Sequence, residues 1–96
     1  LEHIQYPVLA LEECQRILKP GGVLCMTVPI VVGRLSRNRD GLAASHHSPH
    51  DAPDYTVHTE FGADAWTYLM IAGFSEISMN CVEYPSAISF TARKNL

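Results

Sequence analysis

Long apolar runs are missing from this sequence. The longest, Val23 to Val32, is ten residues and is interrupted by Thr27 and Pro29. It is too short to cross a bilayer, so no membrane span is expected. An excess of positive charge is missing as well: seven Lys and Arg stand against ten Asp and Glu, a net charge of −3. The basic residues are spread over Arg16, Lys19, Arg34, Arg37, Arg39 and the Arg93-Lys94 end, which disfavours a basic face for nucleic acid. The one cluster, Arg34, Arg37 and Arg39, reads as a solvated loop more readily than as a grip on phosphate. Cysteine is sparse. Cys14, Cys25 and Cys81 are odd in number, widely spaced and set among apolar neighbours, which reads as buried reduced thiols rather than a disulfide framework or zinc site. A reducing, cytoplasmic setting follows as the default. Leu1-Glu2-His3 is not a charged leader before an apolar run, so no secretory signal is expected. No Gly-x-Gly pattern, internal repeat or low-complexity segment occurs.

What is present has the balance of a globular chain: 96 residues, 47% hydrophobic and 18% charged, enough for one small core. Ala10, Leu11, Cys14, Ile17 and Leu18 recur at helical spacing over 7–18, with Glu12, Glu13, Gln15 and Arg16 opposite. Pro7 suits the first turn, and Pro20-Gly21-Gly22 stops the helix. Val23 to Val28 is apolar on both alternating sets of positions, the pattern of a strand covered on both faces in a parallel sheet. Periodicity is lost from Ile30 to Glu60, a segment too long for an ordinary connection. Helical spacing returns over 63–72, with Trp66, Leu69, Met70 and Gly73 on one stripe. Gly73-Phe74 then provides a Schellman-type end that folds Phe74 over Leu69. Alternation over 77–82 and 88–93, joined at Tyr84-Pro85-Ser86, predicts a closing hairpin. Trp66 is expected in the core, in preference to forming an aromatic substrate wall with Tyr55 and Tyr68.

Three pieces in order carry a resemblance: Leu1-Glu2-His3-Ile4, then Ile17-Leu18-Lys19-Pro20-Gly21-Gly22-Val23-Leu24 with Val28-Pro29, then His58, Phe61, Trp66, Leu69 and Ala72-Gly73-Phe74. Together they resemble the second half of the class I S-adenosylmethionine (SAM) dependent methyltransferase domain. The resemblance spans nearly the whole chain. It implies an α/β fold, the C-terminal half of a Rossmann-like sheet, with the order helix, strand, long loop, helix and an antiparallel final strand pair. Residues 1–96 would be a partial methyltransferase domain and 30–60 its long substrate-side loop. The implied function is transfer of a methyl group from SAM to a small-molecule acceptor by the complete domain. The alternative is a catalytically inactive truncated module that dimerises or binds a partner.

The family holds SAM on a glycine-rich loop after the first strand and an acid at the end of the second. Neither has a counterpart here, so the chain alone is not expected to bind SAM, and its being an enzyme by itself stays open. Glu2 and His3 are implied to lie beside the cofactor pocket. His46, His47, His50 and His58, with Asp51 and Asp54, would stand on the substrate side, where an imidazole could serve as general base. Glu2, His3 and His58 are weak candidates for a divalent cation; the favoured reading is no metal, and a solvated loop for the histidines. With both helices on one face of the sheet, the other face and the open strand edge would be bare and apolar. That predicts a homodimer or oligomer.

Overall fold

The computed structural model of the chain describes residues 1–42, 56–83 and 87–96. Along the sequence these form α1 (Pro7–Ile17), β1 (Val23–Thr27), β2 (Arg37–Asn38), β3 (Thr59–Glu60), α2 (Trp66–Ile71), β4 (Ser75–Glu83) and β5 (Ala87–Arg93). The connection at Tyr84-Pro85-Ser86 lies outside the described residues.

Pro7 begins α1, where its missing N–H costs no hydrogen bond. The helix ends at Leu18, and Gly21 takes the left-handed φ of +78° that the following turn needs. The turn is tied to the far end of the chain: Gly21 N–H donates to Lys94 O at 3.0 Å and Lys94 N–H to Gly22 O at 2.8 Å. The Lys94 ammonium also donates to Leu18 O at 2.8 Å and Arg16 O at 3.3 Å, covering the open carbonyl end of α1. At the end of α2, Gly73 has φ +99°, Phe74 N–H donates to Leu69 O and Gly73 N–H to Met70 O. This is the Schellman end expected from Gly73-Phe74.

The main sheet has the order β1-β5-β4, and both pairings are antiparallel. This corrects the parallel setting inferred for β1, whose one described neighbour, β5, runs against it. Because β5 opposes both β1 and β4, those two strands run parallel to each other with β5 between them. A bulge between Ser75 and Ser78 puts Glu76 at φ +49° and adds one residue to β4.

Residues directly opposite across strands share a face. Leu24 and Met26 of β1, Ile88, Phe90 and Ala92 of β5, and Met79 and Cys81 of β4 therefore point one way. Both helices cover this side: Leu11 of α1, Ala65 before α2, Leu69 of α2, and Ala72 and Phe74 after it join Phe61, Val28, Ile88, Phe90 and Ala92 in one core. Leu11, Phe61, Leu69 and Phe90 are fully buried, each stabilising by about 1.5–3 kcal/mol relative to exposure.

Three sequence expectations are corrected. The opposite sheet face carries Val23, Cys25 and Thr27 beside Arg93, Thr91 and Ser89, with Ser78 and Asn80 beyond. It is mainly hydroxyl and amide, so the expected apolar patch is absent there. Cys25 and Cys81 are exposed, not buried, because Cys25 lies on the uncovered face of the sheet and Cys81 on the edge strand β4. Trp66 is 41% exposed. The buried stripe of α2 runs through Ala65, Leu69 and Ala72, since small alanines let the helix sit close to the sheet.

Among the described residues no helix is long and apolar enough to cross a membrane.

Candidate functional site

The sequence leaves 30–60 as one long loop, but its two ends are built into the fold. Val31 N–H donates to Phe61 O at 2.7 Å, Ile30 bridges Phe61, and β2 pairs with β3 so that Arg37 faces Glu60 and Asn38 faces Thr59. Residues 30–39 thus run along 56–62 as a double strap beside the sheet. A polar joint locks it. Gly62 N–H donates to Ser36 Oγ at 2.8 Å, Ala63 N–H to Arg34 O at 2.9 Å, and Ser36 N–H to Asp64 Oδ1 at 2.7 Å. The Ser36 hydroxyl and amide hold the Asp64 carboxyl below its ordinary 3.8. Burial, with help from the Asp64 charge, pushes Tyr68 up. The Tyr68 ring meets Phe61 edge-on at 5.0 Å and 75°.

The Leu1–Ile4 turn, closed by Ile4 N–H to Leu1 O at 3.0 Å, docks on this strap. Glu2 O accepts from His58 N–H at 2.8 Å and from Thr59 N–H at 3.3 Å. The His3 Nδ1 lies 3.2 Å from Thr56 O. A carbonyl only accepts, so Nδ1 carries the hydrogen; Nε2 lies 3.4 Å from Glu2 Oε1. Burial pushes the Glu2 carboxyl up, while its own backbone N–H and His3 pull it down. Glu2 is thereby set next to His58, and what joins them is backbone hydrogen bonding. Among the described residues no three His, Cys, Asp or Glu side chains gather as ligands for an ion. His46, His47, His50, Asp51, Asp54 and Tyr55 lie outside the described residues.

Between turn and strap is a cleft of about 110 Å³, lined by Glu2, Pro29, Val31, Val57, Thr59, Glu60 and Phe61. Pro29 and Val31 follow the carboxyl end of β1, so the cleft opens there. Its size sets a limit, because small-molecule sites usually enclose about 300–1,000 Å³. The glycines do not supply a cofactor loop either, since Gly21 and Gly22 spend their N–H groups on Lys94 O and Lys19 O. The residues present do not fit SAM as a complete site.

The sequence missed the residue at the centre of the strap. Glu60 accepts from Arg34 and from Arg37 Nε (2.7 Å) on one oxygen, and from Arg39 Nη1 (2.6 Å) on the other. The side-chain hydrogen bond from Arg37 leads in holding the Glu60 carboxyl below its ordinary 4.5; Arg39 and Arg34 add to it against a smaller effect of burial. Arg34, Arg37 and Arg39 are therefore an organised cluster and not a plain solvated loop. Three cations within six residues were a signal that an acid must sit opposite, but nothing in their spacing pointed to position 60. Comparison with protein-family models, curated proteins and solved structures finds no match to the chain.

Proposed function

We propose that the chain is the carboxyl-terminal portion of a class I SAM-dependent methyltransferase that, when complete, transfers a methyl group to a small-molecule acceptor. The observation that carries this reading is the cleft at the carboxyl end of β1, walled by Glu2 on one side and by Val57, Thr59, Glu60 and Phe61 of the strap on the other. In open α/β sheets ligands bind outside the carboxyl ends of strands. Support also comes from β1 and β4 running parallel with α2 between them in sequence, and from the antiparallel closing pair. Methyl transfer depends chiefly on alignment of donor and acceptor. The role of these residues is accordingly positional: Glu2 borders the pocket, and the strap bounds the acceptor side. SAM would supply the methyl group, but the residues that would grip it are not in this chain.

The test is calorimetric titration of the purified chain with S-adenosylhomocysteine. Saturable heat at micromolar concentration supports the reading. Absence of heat from the chain alone is expected where the gripping residues lie elsewhere; absence of heat after a glycine-rich amino-terminal half is supplied favours the second reading, a non-catalytic partner-binding module. One observation favours that module: β1 has no neighbour on its outer edge among the described residues, and open edges recruit strands. Self-association through that edge gives a dimer in light scattering, whereas a monomer at micromolar concentration rules the dimer out.

A further inference from the structure

Arg34 and Arg37 converge on the same carboxylate oxygen of Glu60, and Arg39 takes the other. The Arg34 and Arg37 side chains are 42% and 47% exposed. Among the described residues Glu60 is the one side-chain partner of each. A guanidinium carries five N–H donors in a rigid fork, so each of these two has donors to spare. One oxygen cannot balance two cations held against it, which leaves local positive charge in a chain whose net charge is −3. The arrangement is also pre-set, because β2–β3 pairing puts Arg37 opposite Glu60 and the Ser36–Asp64 joint fixes the backbone between the two arginines. Glu60 in turn lines the cleft with Glu2, so the fork stands at the edge of the cleft.

We propose that Arg34 and Arg37 form an oxyanion-binding fork for the phosphate or carboxylate of a small molecule whose uncharged part enters the adjoining cleft. Bidentate guanidinium contacts suit both groups, and the dianionic phosphate is held more tightly. On the methyltransferase reading that molecule is the acceptor, though the fork itself does not depend on that reading.

The experiment is calorimetric titration of the chain with inorganic phosphate, and separately with acetate, at low salt. Saturation in the millimolar range is expected, weakened about tenfold by Arg34→Gln or Arg37→Gln, the effect of one lost charge-assisted bond. Arg37→Lys keeps the charge without the fork and falls between. Arg16→Gln, which removes an equal charge from α1, leaves binding unchanged. Circular dichroism checks that each variant is folded; if a Gln variant is not, Arg37→Lys carries the test. No saturation by tens of millimolar, or equal weakening by Arg16→Gln, overturns the fork. Retention on anionic phospholipid vesicles without binding of soluble phosphate overturns its small-molecule assignment. Phosphate binding without S-adenosylhomocysteine binding leaves the fork standing whatever becomes of the methyltransferase reading; S-adenosylhomocysteine binding without phosphate binding removes the fork alone.

Discussion

Replacing Gly62 by alanine tests whether the strap is held as closely as described. An added Cβ would lie 2.1 Å from Arg34 O, 2.5 Å from the Leu35 carbonyl carbon and 2.8 Å from Ser36 N, all backbone atoms. Ordinary contact begins at 3.4 Å, so the two segments must part by about 1 Å or more, which ruptures hydrogen bonds of this length. Three are at stake: Gly62 to Ser36, Ala63 to Arg34, and Ser36 to Asp64. At about 1 kcal/mol for each neutral bond and about 1.5–3 for the one to a carboxylate, the loss is about 3–5 kcal/mol. A domain of this size has about 5–15 kcal/mol in total, so Gly62→Ala should lower the urea midpoint by about 1–3 M and erase amide-exchange protection at Ala63. Gly33 is the control. Its φ is +88° with nothing within 4 Å of an added Cβ, so Gly33→Ala carries only backbone strain, about 1–2 kcal/mol. Gly62→Ala matching wild type, or costing no more than Gly33→Ala, would refute the close approach.

Leu69→Ala should cost about 2–5 kcal/mol in denaturant unfolding, since Leu69 is completely buried between α2 and the sheet. Glu60 and Asp64 both titrate below their ordinary values. The folded chain thus binds fewer protons than the unfolded one in that range; their stabilisation is whole above the ordinary values of 4.5 and 3.8 and is lost as pH falls through the depressed ones. Glu60→Gln should flatten the acid limb of a pH–stability profile, and an unchanged limb would refute its coupling to the arginines. Cys25 and Cys81 should react with a thiol reagent in the native state before Cys14, which is half-buried; the reverse order would contradict the sheet orientation.

The elements with local causes were legible in the sequence: Pro7 and Pro20-Gly21-Gly22 bracket α1, Gly73-Phe74 ends α2, and two-residue alternation marks β4 and β5. What failed depended on distant partners. The apolar run of β1 resembles a strand buried on both sides, and only pairing with Ser89, Thr91 and Arg93 reveals how polar its outer face is. Helical spacing with Leu69 put Trp66 in the core, where Ala65 and Ala72 sit. At the candidate site, resemblance pointed to Glu2 and His3, and their roles there stand as proposals. Glu60, Ser36 and Gly62 were not legible, since each acts on a residue more than twenty positions away and none belongs to a local pattern.

The position of β5 has a consequence for how the chain acquires its structure. The middle strand is the last of the three in the sequence, and it joins residues 23–27 to 89–93. Until Ala87–Arg93 emerges, β1 and β4 have no common neighbour and Leu69 has no Phe90 to pack against. Pairings so distant in sequence slow the search for the native state. Assembly of this sheet should therefore be nearly all-or-none and wait on residues 87–93, with α1 and α2 able to form earlier.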